Sequence, residues 1–392
     1  MQEFYLAKRK VPSLFWTQKQ DAALTAARNA NPDASWRELA QILSGTLSVS
    51  LTSNQVRNRL QRVQEGTKAG DTGVSQELQT LQRQIGIYES IETATLQPPS
   101  WTRTRSGTSG HKAIATFQLT DTHFDEVISP REIDFANAYN RKIGELRLRA
   151  WAEQAIVLAR DYIKGVEYEG AVVFATGDIL SGDIHSELVE TNEATLYESV
   201  VHWSEQIIAA LDLIAGEFGR LHVAAVVGNH GRNSVKPRYK KRAQSNIEWL
   251  LWKIVARYFE RDMRVTFQVS DAMDLTTSIY QTNFLLTHGD QFGGGQGIAG
   301  AIPPIFRGYS KKSIRQQGIL KPFDIMVMGH FHQYLTLPAI IVGGSMKGLD
   351  EFAYGINVKP EAPQQAFFVT TPEHGVTIHA PVFFADRKAE GW

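Results

Sequence analysis

From residue 113 to about 385, short apolar runs alternate with amphipathic stretches, and this alternation constrains the fold more than any other feature of the 392 residues. The runs are AIATFQLT, AVVFAT, HVAAVVG, TNFLLTHG and FDIMVMGH. Between them, RLRAWAEQAIVLARDYI and EQIIAALDLIAGEF carry apolar residues at helical spacing. Strands that are apolar on both faces must be covered on both, so the pattern predicts an α/β domain with strands buried between layers. In such folds the polar groups at the carboxyl ends of strands line the ligand crevice.

Nearly every run ends in a metal-ligand type. LTDTHFD carries Asp121 and His123, ATGDILSG carries Asp178, VVGNHGR carries Asn229 and His230, LLTHGDQ carries His288, and VMGHFHQ carries His330 and His332. A single D-x-H or H-x-H is weak, because alternate residues on a strand face opposite ways unless the chain turns. Five such endings in order, four of them beside a glycine, point to one shared site. With no cysteine in the chain, a metal there must rest on oxygen and imidazole donors. Such donors suit Mn²⁺, Fe, Zn²⁺ or Mg²⁺.

The order D-x-H, G-D, G-N-H, H-G and G-H-x-H resembles the calcineurin-like metallophosphoesterases, and the resemblance covers roughly residues 113 to 386. It implies a sandwich of two mixed β-sheets flanked by helices and two divalent ions, Mn²⁺ foremost. Asp121, His123, Asp178 and His332 would hold one ion, and Asp178, Asn229, His288 and His330 the other. His230 would protonate the leaving oxygen of a phosphate ester. Arg232 is similar to an arginine that clamps phosphate oxygens in some branches. The chain departs from the family at Gly231, where relatives carry an acid that orients the histidine. Asp125, Asp183 or Asp290 could take that place in space, and His185 could approach the site. His202, His222, His374 and His379 match no motif and read as structural or surface residues.

Residues 15 to 66 form a separate helical unit in this reading. Ser35 with Glu38 and Thr52 with Gln55 make capping boxes that open WRELAQIL and NQVRNRLQRVQ. In the latter, Val56, Leu60 and Val63 make one apolar stripe, leaving Asn54, Asn58, Gln61 and Arg62 opposite, with Arg57 and Arg59 on the flanks. Those side chains can reach base edges and phosphates. Trp16 and Trp36 resemble the tryptophan spacing of Myb-like helix-turn-helix units, with the third aromatic absent. Residues 67–112 read as a linker with a helix, and QPPSWTRTRSGTSGHK within it as a flexible basic connector without core-forming residues.

Net charge is zero, yet residues 1–112 hold 14 Lys+Arg against 9 Asp+Glu and the remainder 27 against 32. RNSVKPRYKKR, residues 232–242, concentrates Arg232, Lys236, Arg238, Lys240, Lys241 and Arg242 after the G-N-H motif. RGYSKKSIR, residues 307–315, adds a second basic stretch, and Tyr239 and Tyr309 are candidates for stacking bases. Two basic loops beside a metal pair suit a substrate with several phosphates. The expectation is therefore a DNA nuclease or phosphodiesterase. A phosphomonoesterase or small-nucleotide phosphodiesterase whose N-terminal unit serves assembly as a homo-oligomer is the alternative, and a non-catalytic DNA-binding protein a second. No apolar run approaches the roughly 18 residues of a membrane span. The segment MQEFYLAKRK lacks signal-peptide features, so the sequence predicts a cytoplasmic protein and no membrane partner. GDQFGGGQGIAG after His288 lacks the Lys-Ser/Thr of a nucleotide-triphosphate loop.

Overall fold

The computed structural model describes residues 16–47, 50–63, 98–103, 111–293 and 300–392. The chain divides into two compact units, Met1–Thr93 and Ala94–Trp392. The expected helix within 75–96 and residues 294–299 of the glycine-rich stretch after His288 lie outside the described residues.

The first unit contains α1 (Gln18–Ala30), α2 (Trp36–Leu47) and α3 (residues 53–63). Each start is capped reciprocally: Thr17 with Gln20, Ser35 with Glu38, Thr52 with Gln55. Leu24, Leu39, Leu43, Leu51, Val56 and Leu60 make its core, with Trp16 and Trp36 packed against it. The Arg28 guanidinium lies over the Trp36 ring at 4.4 Å. Arg59, expected on the flank of α3, is instead held by Asp21 of α1 through two hydrogen bonds of 2.8 and 2.6 Å. Asn54, Arg57, Asn58, Gln61 and Arg62 are exposed.

The second unit begins earlier than the connector reading implies. Residues 98–103, containing the short helix α4 (Ser100–Arg103), pack on the unit that follows. The Trp101 ring fills the space above Gly170, where an added Cβ would lie 2.5 Å from it. Thr102 Oγ1 donates to the Pro99 carbonyl. The basic connector thus carries an apolar anchor, a correction that follows from one large side chain in a polar stretch.

Two mixed sheets build this unit. The first comprises β1 (His111–Leu119), β2 (Val166–Ala175), β3 (Leu221–Ala225), β4 (Val265–Val269), β10 (Gln364–Thr371) and β11 (Gly375–Phe383), in the order β11-β10-β1-β2-β3-β4. Strands β1 to β4 run parallel, and β10 and β11 return antiparallel. The second comprises β5 (Leu275–Ile279), β6 (Thr282–Leu286), β7 (Ile325–Met328), β8 (Leu335–Leu337) and β9 (Ile340–Val342), in the order β5-β6-β7-β9-β8.

The layers follow from the period of two along each strand. Val172 and Phe174 of β2 face Phe284 and Leu286 of β6 across the sandwich. Ala171, Val173 and Ala175 face the helical layer of α5 (Arg141–Val157), α7 (Leu196–Phe218) and α8 (Ile247–Tyr258), where Trp151, Trp203 and Trp252 are buried. On the far side Leu285, Met326 and Met328 pack on α9 (Ile302–Gly318) through Ile305. Short helices α6 (Ser186–Thr191), α10 (Glu351–Gly355) and α11 (Arg387–Glu390) complete the unit. This is the sandwich of two mixed sheets flanked by helices that the motifs imply. No helix among the described residues is long and apolar enough to cross a membrane.

Candidate metal centre

Parallel strands β1, β2 and β3 of the first sheet, and β6 and β7 of the second, all end at one place. Asp121 and His123 follow β1, Asp178 follows β2, Asn229 and His230 follow β3, His288 follows β6, and His330 and His332 follow β7. Three overlapping groups result, each with ligand atoms within 4.8 Å of one another: Asp121–His123–His332, His123–Asp178–His230 and Asp178–His288–His330. His123 and Asp178 each belong to two of them.

The D-x-H and H-x-H pairs converge because the chain leaves the strand geometry. Asp121, His123, Asp178, His330 and His332 all have φ between 45° and 73°, in the left-handed region. With both members of each pair so twisted, side chains two residues apart reach the same pocket. Glycine supplies the close approach: a Cβ at Gly329 would lie 2.2 Å from Asp121 Oδ2.

Hydrogen bonds aim the donors. The His330 N–H donates to Asp121 (2.9 Å to Oδ2), and the His230 N–H to Asp178 Oδ1 (2.8 Å). His288 Nδ1 lies 2.8 Å from the Thr176 carbonyl, which takes its proton and turns Nε2 toward Asp178 Oδ2 at 2.8 Å. His123 Nδ1 lies 3.3 Å from Glu126 Oε2, and its Nε2 is 3.1 Å from His332 Nε2. Glu126 is held in turn by buried Lys347, which also pairs with Asp350.

Electrostatics fit a site built for positive charge. Burial opposes ionisation of Asp178, yet His288 and His230 beside it hold its carboxyl well below the usual range. Burial works against the His288 imidazolium too, but Asp178 pushes it up to about 10. Burial, with nearby Lys347, pushes His123 down to about 3, and burial with nearby His288 takes His330 to about 4. Two imidazoles are thus neutral donors beside two carboxylates.

The residues fit divalent ions on independent grounds. Asn229 Oδ1 is buried without a hydrogen-bond partner, and two imidazole nitrogens, His123 Nε2 and His332 Nε2, face each other. Buried acceptors left this way are costly unless a cation satisfies them. Oxygen and imidazole donors without sulfur suit Mn²⁺, Fe, Zn²⁺ or Mg²⁺.

Other expectations fare differently. The acid missing at 231 is not supplied by Asp125, Asp183 or Asp290. Asp125 is engaged by Arg141, Ser199 and Trp203, Asp290 by Arg242, and Asp183 is exposed. His230 Nδ1 is instead oriented by the Ser181 carbonyl at 2.7 Å. His185 approaches, its ring centroid 5.5 Å from that of His230. Arg232 gives Nε and Nη2 to the carbonyls of Ser234 and Val235. Arg242, expected to meet nucleic acid, is neutralised by Asp290, with Nη2 donating to both carboxylate oxygens at 2.7 Å. Lys236, Arg238, Lys240 and Lys241 are exposed.

The second basic stretch is not a loop but part of α9. Its Lys312 is buried, Lys312 and Arg315 pair with Asp274, and Tyr309 packs edge-on against Phe323 instead of facing solvent. Sequence reasoning missed Glu126, Lys347, Ser181 and Glu248 around the donors. Glu248 is the most distant in signal, because nothing in IEWLLWKIVARY distinguishes a carboxylate that turns inward.

Fold and site together define an α/β sandwich with Asp and His side chains clustered at its strand ends, in groups able to hold metal ions. No family model matches the chain, and no curated protein does. Solved structures do resemble it. Vacuolar Protein Sorting 29 of Cryptosporidium parvum is 14% identical over 70% of this chain and 99% of its own, with a TM-score of 0.26. A conserved Streptococcus pneumoniae protein described as a predicted phosphoesterase is 13% identical over 70% and 99%, at 0.25. The sulfate thiohydrolase SoxB of Thermus thermophilus is 10% identical over 71% and 57%, at 0.28. At these values the question of activity rests on the site itself.

Proposed function

We propose that the chain is a phosphoesterase dependent on two divalent metal ions, and that it hydrolyses phosphodiester bonds in DNA. The observation that carries the first part is the overlap of the three donor groups through His123 and Asp178. One ion would rest on Asp121, His123, Asp178 and His332, the other on Asp178, Asn229, His288 and His330. Ions so held supply Lewis-acid charge to a phosphoryl group and acidify a water.

The protein's own groups do the rest. The Nδ1–H of His230 donates to Ser181, so Nε2 is the atom left to meet substrate. Burial lowers the basicity of His230 and Asp178 partly restores it, which suits a group that gives a proton to a departing oxygen. Glu126 and Thr176 keep His123 and His288 in the tautomer that offers Nε2 to the centre.

For the DNA part, support comes from charge. A narrow cleft of about 10 Å³ beside Asn229 has Arg238 in its lining. The neighbouring loop exposes Lys236, Lys240 and Lys241. In the first unit, α3 exposes Asn54, Arg57, Asn58 and Arg62 on one surface.

The test is Mn²⁺-supplemented hydrolysis of labelled single- and double-stranded DNA beside mono- and diester dyes, with Asp178→Ala in parallel. Activity of the variant is expected to fall by orders of magnitude, because both donor groups lose their common carboxylate. Retained activity counts against the two-ion assignment. Turnover of dye diesters with no DNA cleavage counts against DNA as substrate.

A further inference from the structure

The Glu248 side chain is fully buried at the start of α8, and no cation pairs with it among the described residues. Its carboxylate accepts backbone hydrogens from two loops at once. Oε1 takes the N–H of Ile179 (2.7 Å) and of Leu180 (3.3 Å), directly after Asp178. Oε2 takes the N–H of Gly228 (2.9 Å), directly before Asn229. Asn246, which caps α8, donates Nδ2 to the Gly228 carbonyl (2.9 Å) and receives the Glu248 N–H on Oδ1 (2.9 Å). Residue 231 is closed to any side chain by the same pair. A Cβ there would lie 2.4 Å from Asn246 Oδ1 and 2.8 Å from Glu248 Cγ.

We infer that Glu248 is a positioning residue for the metal centre, clasping the Asp178 loop to the Asn229–His230 loop so that both address the same ion. The inference rests on reading the donor cluster as a metal centre. The β2 and β3 loops come from separate strands, and their end-to-end spacing decides whether Asp178 and Asn229 reach one cation. A carboxylate is suited to this task because each oxygen accepts independently, one per loop. Glycine at 231 is then the complement of Glu248: α8 reaches across the sequence to fill what residue 231 leaves empty.

Glu248→Gln keeps the shape but has one acceptor oxygen, so one loop meets an NH₂ group in place of an acceptor. Gly231→Ala leaves Glu248 in place and wedges a methyl against its Cγ. Calorimetric titration of the full chain with Mn²⁺ is expected to show the dissociation constant of at least one ion raised 10–100-fold in each variant, with circular dichroism showing the fold retained.

Both variants binding two ions as tightly as wild type overturns the inference. A lowered melting temperature with unchanged Mn²⁺ affinity overturns it too, since that marks a merely structural carboxylate. Should Glu248→Gln not fold, Gly231→Ala decides. Amide exchange on the wild type needs no variant: the N–H groups of Ile179 and Gly228 are expected to be protected, and fast exchange of either removes the clasp. A wild-type chain that takes up no Mn²⁺ at all sinks the metal-centre reading as well, which separates the two failures.

Discussion

Gly228→Ala is the sharpest perturbation that the geometry offers. Gly228 stands immediately before Asn229, and a Cβ there would lie 2.1 Å from Asp178 Oδ1 and 2.2 Å from the Asp178 backbone nitrogen. Real Cβ contacts do not fall under 3.0 Å, so about 0.9 Å must open between the two loops. Little can yield. Gly228 is held at its N–H by Glu248 and at its carbonyl by Asn246, and Asp178 Oδ1 accepts the His230 N–H. Behind both loops, parallel pairing of Ala175 with Ala225 ties the strand ends. The displacement therefore falls on the Asp178 carboxylate, which belongs to two of the three donor groups. A misplacement of about 1 Å costs roughly 10²-fold in rate. Overpacking of this kind costs about 1–3 kcal/mol of stability, and each kcal/mol lowers the melting temperature of a unit this size by about 2–4 °C. The assay is Mn²⁺-supplemented hydrolysis of a bis-aryl phosphodiester, with a melting curve on the same preparation. Turnover within twofold of wild type at an unchanged melting temperature would refute the reasoning, because the loops could not then be in such close contact.

Two further outcomes are expected. The double variant Arg57→Ala/Arg62→Ala removes two exposed cations from α3. If that face meets DNA phosphates, the slope of log affinity against log salt for a labelled duplex falls by about 2; an unchanged slope in anisotropy titrations of the full chain removes α3 from the interface. His222, buried in β3 with Nδ1 2.9 Å from Thr266 Oγ1, is pushed by burial down to about 4. A folded-state value below the ordinary 6.5 means that the unfolded chain takes the proton first as pH falls. The stability is thus present above 6.5 and is lost as pH drops through that window toward 4. By pH 5 the loss from this one group is about 2 kcal/mol. Urea midpoints at pH 7.5 and 5 for wild type and His222→Gln check this: the variant is expected to lose less, and an equal loss refutes it.

The Asp and His side chains that cluster at the strand ends were legible in the sequence because their chemistry is local. Each is a ligand type placed after an apolar run, and a strand that ends in Asp, Asn or His beside glycine is readable one residue at a time. The layers were legible for the same reason, since strands apolar on both faces admit few arrangements. Unread features depend on contacts between distant positions. Arg242 meets Asp290 across 48 residues, Lys312 meets Asp274 across 38, and Glu248 reaches Ile179 across 69. A run of six cations in residues 232–242 therefore overstated the free charge. One guanidinium is cancelled by a carboxylate and another is bound to its own loop's carbonyls, leaving the exposed Lys236, Arg238, Lys240 and Lys241. Trp101 eluded reading because composition averages a single large apolar side chain into its polar neighbours.

The strain at the donors argues beyond their identity. Five of the seven proposed ligand residues sit in the left-handed region, each at a cost of about 1–2 kcal/mol for a residue with a side chain. Proximity alone returns only part of that cost, in the Asp178–His288 and Asp121–His332 pairs. Asp121 and Asp178 are buried carboxylates whose negative charges raise each other's proton affinity, and paired imidazoles at 3.1 Å gain at most one shared proton. Backbone held in this way persists where the surroundings over-determine it, and it collects where function needs a fixed geometry. The surroundings are identifiable here: Gly329 admits Asp121, Thr176 and Glu126 orient two imidazoles, and Glu248 binds two loops. Divalent ions would convert these unfavourable proximities into coordination, since each carboxylate and each neutral imidazole gains from a central positive charge. It follows that Mn²⁺ should raise the melting temperature of the wild-type chain in a concentration-dependent way, by the mass-action term for a ligand that binds only the folded state. A chain that melts at the same temperature with and without millimolar Mn²⁺ would leave the strain unexplained and the proposed centre without its physical basis.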